Sequence, residues 1–334
     1  MARGESGIGP DRDPQPWKAG PVNEAPRRNV TVVTNPLSGL GKGADAAGAA
    51  LARFAERGVT VTEVRTGSPA ESVRRVRDSI DDPLARPDAV VCIGGDGLVS
   101  ILLAAVARTG VPLGLIPAGT GNDLARELGV PTEDPVATAD LVLDGRIRTI
   151  DLGRVEARDA EPMWFATVTG TGLDARVTLR ANEMRWPKGR LRYTVAALRE
   201  LSTGLTVPYR IELTGVPTAP AADRDTVVET DAVMVAVGNT RAYGGGMLIC
   251  PDAVMDDGLL DVTVVGALSR LEMLRLLPAL SAGKRLDHPD VKQYRAAGIT
   301  LTAPGVPATA DGEPAGSLPV TIRAVPGALD VLVP

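Results

Sequence analysis

The stretch Ala89-Val90-Val91-Cys92-Ile93-Gly94-Gly95-Asp96-Gly97 decides how the chain is read. Five apolar residues in succession fit a strand buried on both faces, and the glycines that follow break it into a turn. Without Cβ atoms, main-chain N–H groups can approach an anion closely, and the one carboxylate can hold a metal or accept a hydroxyl proton. The combination points to nucleotide phosphates.

Working outward, the pattern from Asn29 to Ile150 alternates. Short β-rich runs stand at Val30–Thr34, Val59–Val64, Ala89–Ile93 and Leu113–Ile116, with helical stretches at Ala44–Arg57, Pro69–Ile80, Leu98–Arg108 and Asp123–Leu128 between or after them. That order predicts βαβ units, a parallel sheet, and ligands at the carboxyl ends of the strands. Beyond Asp151 the chain turns to Val- and Thr-rich segments, Trp164–Thr169, Tyr209–Leu213, Val227–Val237 and Leu260–Val265, which predict a second, mainly antiparallel domain. Helix-length spacing recurs at Val177–Leu201 and Leu271–Ala282, where Pro187 and Pro278 are expected to break or kink the helix. Met1–Arg28, rich in Gly, Pro and charge, reads as a disordered tail without the apolar core of a signal peptide.

Composition narrows the chemistry. The 334 residues carry a net charge of −5 and 3% aromatics, which argues against nucleic acid as a partner. Two cysteines, Cys92 and Cys250, form no framework, and a reducing cytoplasm fits. His288 is the only histidine, so a histidine-rich zinc site is excluded and a general base is expected to be a carboxylate. No segment has the length and apolarity of a membrane span.

Two further glycine-rich turns follow strands. Asn35-Pro36-Leu37-Ser38-Gly39-Leu40-Gly41-Lys42-Gly43 offers backbone donors, a hydroxyl and an ammonium group beside a helix start, but fits neither the dinucleotide nor the P-loop spacing. In Pro117-Ala118-Gly119-Thr120-Gly121-Asn122-Asp123, Asn122 or Asp123 can equally be read as a helix N-cap. Asp311-Gly312-Glu313, taken alone, reads as a hairpin turn. The basic stretch Arg176–Arg199, with Trp186 and Tyr193 interleaved, reads either as a solvated helix face or as a contact for anionic lipid.

In order, Asn35-Pro36-x-Ser38-Gly39, Gly94-Gly95-Asp96-Gly97 and Pro117-x-Gly119-Thr120-x-Asn122-Asp123-x-Ala125-Arg126 resemble the diacylglycerol kinase catalytic family, which includes bacterial diacylglycerol kinases, sphingosine kinases and ceramide kinases. The resemblance continues through Gly170–Ala175, Gly244–Gly246, Asp256–Asp261 and Asp311–Glu313, covering about Asn29 to Pro334. It departs at Leu98 and Ile101, where the family usually has Thr and Glu.

The resemblance implies an α/β fold: an N-terminal parallel-sheet nucleotide domain of phosphofructokinase and NAD-kinase type (29–150), a C-terminal β-sandwich domain (151–318), and a segment 319–334 returning to the first. It implies ATP- and Mg2+-dependent phosphorylation of diacylglycerol or a related lipid alcohol. Asn35, Ser38, Gly39, Lys42, Thr66, Gly94, Gly95, Gly97, Gly119, Thr120 and Asn122 would line the nucleotide, and Asp96 and Asp123 would organise the catalytic Mg2+. Asp311 would be the general base with Glu313 beside it, and Asp257 with the Leu259 carbonyl would hold a second, structural Mg2+. A lipid substrate, peripheral membrane contact from the cytoplasm, and an allowed homodimer complete the expectation. A related small-molecule kinase of NAD-kinase type and a nucleotide- or lipid-binding pseudokinase, the latter motivated by Ile101, stay open as alternatives.

Overall fold

A computed structural model describes residues 26–34, 42–65, 68–184, 186, 190–201, 206–217 and 225–334. Positions 1–25 of the expected tail lie outside the described residues.

Strands β1 (Asn29–Thr34), β2 (Thr60–Val64), β3 (Ala89–Gly94) and β4 (Leu113–Pro117) pair in parallel in the order β2-β1-β3-β4. Helices cover both faces, which is why β3 is buried at all six positions and reads as an unbroken apolar run. On one face α1 (Lys42–Glu56) and α5 (Pro135–Asp144) place Phe54, Ala50, Val142 and Leu143 against Val32, Val91 and Ile93. On the other, α2 (Pro69–Asp81) and α3 (Asp96–Val106) place Val76, Ile80, Leu102 and Leu103 against Val90, Cys92 and Leu115. The split between alternate residues of β3 is the two-residue period of a strand.

Local signals set the helix starts. Ser68 accepts the Glu71 N–H at 3.3 Å with Pro69 opening α2, and Asp134 accepts the N–H groups of Val136 and Ala137 at 3.0 and 2.9 Å with Pro135 opening α5.

The second half is antiparallel and built from β5 (Arg146–Ala157), β6 (Met163–Phe165), β7 (Val168–Gly172), β8 (Val207–Thr214), β9 (Thr226–Gly238), β12 (Leu260–Gly266), β13 (Val291–Ala296), β14 (Gly298–Thr302), β15 (Pro307–Ala310), β16 (Glu313–Ser317) and β17 (Val320–Val333). A short hairpin, β10 (Ala242–Tyr243) with β11 (Met247–Leu248), stands apart from this sheet. The strands close over a core that includes Phe165, Ile211, Val235, Val262, Ile299 and Ile322. Helices α6 (Leu173–Glu183), α7 (Arg190–Glu200) and α8 (Arg270–Ser281) belong to this half, and Leu173 and Met273 of α6 and α8 share an outer apolar layer with Val233 and Ala236 of β9.

Two readings change. Trp164–Thr169, expected as one segment, is two strands separated at Ala166-Thr167. α8 runs unbroken through Pro278, because the proline sits in the last turn, where only one helical bond is forgone, and Ala282 N–H still reaches its carbonyl at 3.0 Å. Between α6 and α7 the helical spacing is interrupted as expected, although Pro187 itself lies outside the described residues.

One strand joins the halves. β17 pairs with β14 and, antiparallel along its length, with β5, from Val320 opposite Ala157 to Val333 opposite Arg146. It also lies parallel to β4 at Val331 opposite Leu113. Its last residues, Val331, Leu332 and Val333, are buried in the cores of the N-terminal sheet. Leu332→Ala should therefore lower stability by about 2–5 kcal/mol, as for a fully buried core leucine. Equilibrium urea unfolding checks this; a loss below about 1 kcal/mol would mean that the strand is peripheral to the N-terminal core.

Candidate active site

The carboxyl end of β1 leads into residues 35–41, so Asn35, Ser38 and Gly39 lie outside the described residues, as does Thr66. Lys42 opens α1. The other two glycine turns are well defined and touch one another.

β3 ends at Gly94, Gly95 caps α3, and Asp96 is the first helical residue. The Asp96 carboxylate reaches across to the third turn, where Oδ2 accepts the Asn122 N–H at 2.7 Å and Oδ1 the Asp123 N–H at 2.8 Å. Backbone meets backbone here. A Cβ on Gly119 would lie 2.5 Å from Gly95 Cα, and one on Gly121 2.6 Å from Asp96 Oδ2, so both glycines are required by the contact between turns. Asn122 adopts a left-handed φ of 54°, which asparagine tolerates, and its side chain closes the turn through Gly119 N–H and carbonyl at 3.0 and 3.1 Å. It makes no side-chain cap of α4 (Asp123–Glu127), contrary to the simpler reading of that residue. Thr120 is exposed at the rim.

The β15–β16 hairpin brings the remaining carboxylates to this place. Asp311 takes a left-handed φ of 48° and Gly312 follows at 82°, a turn geometry suited to an Asp-Gly pair. Asp311 Oδ2 accepts the Ala166 N–H at 2.8 Å, and Oδ1 accepts the Thr167 N–H at 2.8 Å and the Thr167 hydroxyl at 2.5 Å. The break between β6 and β7 is what frees those donors. Glu313 Oε1 stands 3.7 Å from where a Cβ of Gly97 would be, which sets the hairpin tip against the start of α3.

Asp96, Asp123, Asp311 and Glu313 thus share one cleft. Burial pushes the Asp96 carboxyl up to about 6, the charge of Asp123 adds to this, and Asp311 adds further. Asp311 and Glu313 are raised by burial as well, and for Asp311 the donors from Thr167 and Ala166 work in the opposite direction. No cationic side chain figures among the main influences on Asp96 or Asp311. This uncompensated set of hard oxygen donors fits a hard cation of the Mg2+ class. Among the described residues no three His, Cys, Asp or Glu side chains converge as a complete metal cage. Mg2+ commonly takes only one or two carboxylates and completes its shell with phosphate and water oxygens.

The Asp256–Leu259 turn differs. Asp257 Oδ1 accepts the Leu259 N–H at 3.0 Å, while its other oxygen pairs with Arg295, which also reaches Asp261 at 3.2 Å. Arg148 pairs with Asp256 at 3.2 Å. Two guanidinium groups already supply the positive charge, and Asp257 with Leu259 does not fit a second Mg2+.

Several participants escaped the sequence reading. Ala166 and Thr167 were hidden inside an apparent single strand. Asp174 and Tyr243, whose carboxyl and hydroxyl meet at 2.5 Å, stand in or beside motifs that carried no assigned role.

Comparison with known proteins agrees with this architecture. Residues 29–155 match the family described as diacylglycerol kinase catalytic domain, and 167–333 the one described as YegS C-terminal NAD kinase beta sandwich-like domain. The chain is 46% identical over 306 residues to "Diacylglycerol kinase" of Mycobacterium tuberculosis H37Rv, covering 91% of this chain and 95% of that one. It is 30% identical over 316 residues to "Probable lipid kinase YegS-like" of Stenotrophomonas maltophilia K279a, covering 89% and 94%. A crystal structure of a diacylglycerol kinase from Bacillus anthracis str. Sterne shares the fold with a TM-score of 0.67 at 20% identity, over 92% of this chain and 97% of that one. The chain therefore belongs to the diacylglycerol kinase and YegS-like lipid kinase family of phosphotransferases.

Proposed function

We propose that this chain phosphorylates a hydroxyl of diacylglycerol or a related lipid alcohol, with Asp311 as general base and Asp96 and Asp123 facing Mg2+. Membership of a kinase family makes ATP the phosphoryl donor. In this reading residues 29–150 form the nucleotide lobe, 151–318 the lipid lobe, and 319–334 the returning strand. The phosphates lie over Gly94–Gly97 and Gly119–Asn122, with Asn35, Ser38, Gly39, Lys42, Thr66 and Thr120 around the nucleotide.

The observation that carries the proposal is the hairpin tip set against α3, with Glu313 beside Gly97 and Asp311 close enough to bias Asp96. Phosphoryl transfer asks the protein for in-line placement and charge stabilisation rather than covalent help. The helix dipole at the start of α3, reached through Gly94 and Gly95, favours anionic oxygen at that point. When bound, Mg2+ held by Asp96 and Asp123 would neutralise charge on the phosphates.

Asp311 suits the role of base. The donors from Ala166 and Thr167 fix the orientation of the carboxylate, which as an ionised group can only accept. Burial raises its proton affinity, as a base requires, and the bonds from Ala166 and Thr167, which work against that rise, hold the side chain in place.

The lipid lobe also carries a surface suited to a bilayer. Leu191, Val195 and Leu198, spaced i, i+4, i+7 on α7, are 66%, 42% and 56% exposed, and Trp186 is 81% exposed. The opposite side of α7 turns inward through Ala196 and Glu200, and Glu200 is paired with Arg180 and Arg176 of α6. An apolar stripe flanked by Arg192 and Arg199 suits an interface rich in anionic lipid. Arg185 and Lys188 of the same basic stretch lie outside the described residues. Among the described residues no helix is long and apolar enough to cross a membrane.

Asp311→Asn should lower kcat by roughly 10²- to 10⁴-fold with ATP affinity within a few-fold. Thr167→Val, which removes one donor and keeps the base, should lose far less; equal losses would reduce Asp311 to an anchor of the hairpin. Asp96→Asn should abolish turnover while nucleotide still binds, and a variant with wild-type rate in Mg2+ would refute the assignment. Replacing Leu191, Val195 and Leu198 together with serine should weaken sedimentation with phosphatidylglycerol vesicles by about tenfold or more, since each buried CH2 contributes about 0.8 kcal/mol. Unchanged partitioning would assign the stripe another role.

A further inference from the structure

Two motifs have no part in the reaction as drawn above, yet they meet in space. Asp174, in the first turn of α6, is partly exposed as a residue, but its carboxyl group is enclosed by protein. Its Oδ1 accepts the Tyr243 hydroxyl at 2.5 Å. On the other side, a Cβ on Gly170 would lie 1.8 Å from Oδ2, so only glycine at that position leaves the carboxylate its room. Tyr243 is half-buried and packs against the apolar layer under α6 and α8.

Tyr243 leads directly into Gly244, Gly245 and Gly246, with φ values of 61°, 86° and 106°, conformations that side chains rarely adopt. This turn delivers the Gly245 N–H to 2.9 Å from both oxygens of Asp123. Asp123 gives its own N–H to Asp96. A continuous set of contacts therefore runs from an enclosed carboxylate of the lipid lobe to the carboxylates of the nucleotide cleft. Close by, Arg241 pairs with Glu127 at 2.7 Å, but the arginine is nearly half exposed, and ion pairs of that kind contribute little.

We infer that Asp174 and Tyr243 are positioning residues that hold the triple-glycine turn on Asp123 and so fix how that carboxylate faces the nucleotide. The inference rests on the reading of Asp123 as a group that faces Mg2+. Asp174 is suited to a fixed acceptor because Gly170 leaves its carboxylate room and the Tyr243 hydroxyl bonds it directly, a bond that works against the rise to about 6 that burial imposes on the carboxyl. Its retention as a buried acid carries a cost to the fold, and its service to Asp123 accounts for that cost.

The test is binding of Mg2+·ATP by calorimetric titration, with Mg2+ dependence of turnover and the lipid KM alongside. Tyr243→Phe keeps the ring and removes the donor. Groups that hydrogen-bond a metal ligand typically shift metal affinity by about 10-fold or more; Tyr243 acts on Asp123 through the turn that carries the Gly245 N–H, so Tyr243→Phe should weaken Mg2+·ATP binding by up to about that factor, and measurably, with the lipid KM unchanged. Asp174→Asn, which still offers an oxygen to the hydroxyl, should lose less, and its Tm above pH 7 should be no lower than that of the wild type, since a disfavoured buried charge has gone. A purely structural pair would instead lower Tm and leave Mg2+·ATP binding of the folded protein as it was, overturning the inference.

Asp123→Asn separates the two levels. If it weakens Mg2+·ATP binding and Tyr243→Phe does not, the positioning inference is wrong and the reading of Asp123 stands. If Asp123→Asn leaves binding intact, that reading fails and the inference falls with it. In the Asp123→Asn background Tyr243→Phe should cost nothing further; additive losses would also overturn it. Should Tyr243→Phe fail to fold, Asp174→Asn carries the same comparison.

Discussion

The two bonds from Asp96 to the backbone of Asn122 and Asp123 do more than close a turn. They weld the end of β3 to the end of β4 at a place where neither main chain has side chains to hold it, and they fix the start of α4 without a cap of its own. Because a carboxylate bridges the turns, an acidic group is built into the junction between them. Burial and the like charge of Asp123 raise Asp96, and the two N–H donors work against that rise. The rest of the cleft follows from this junction: Gly245 seats on Asp123, and the Asp311 hairpin comes down on Gly97.

The molecule handles its two acidic clusters in opposite ways. At Asp256–Asp261, Arg148 and Arg295 satisfy the carboxylates from within the chain, so that turn is complete as it folds. In the cleft, Asp96 is biased by the charges of Asp123 and Asp311, and no ion pair to Asp96, Asp123, Asp311 or Glu313 is found among the described residues. Internal pairing serves architecture, and its lack is the physical basis on which the cleft is proposed as the reactive site.

Much of the nucleotide half was legible because its signals are local. Ala89–Ile93 reads as a strand buried on both faces, and Ser68-Pro69 opens its helix by capping. Even so, α5 was passed over, although Asp134-Pro135 carries the same cap-and-proline signal. The site was legible as a set of motifs in order, which fixes residue types but not their mutual geometry. What escaped depended on distant pairing. Whether Trp164–Thr169 is one strand or two is decided by Asp311, nearly 150 residues on, which draws the N–H groups of Ala166 and Thr167 out of the ladder. Likewise Asp174 and Tyr243 are neighbours only because β7 and β9 lie side by side and β10 follows on from β9.

The place of β17 bears on how the protein is made. Val331 and Leu332 complete an interior begun by Val30 and Val90, so the N-terminal sheet emerges from the ribosome some two hundred residues before the strand that closes its edge. Until then β4 presents an unpaired edge and uncovered apolar side chains, the condition in which nascent chains aggregate or engage chaperones. Synthesis from the N-terminus cannot deliver a finished N-terminal sheet first, and both halves reach their final form together, once β17 has been made.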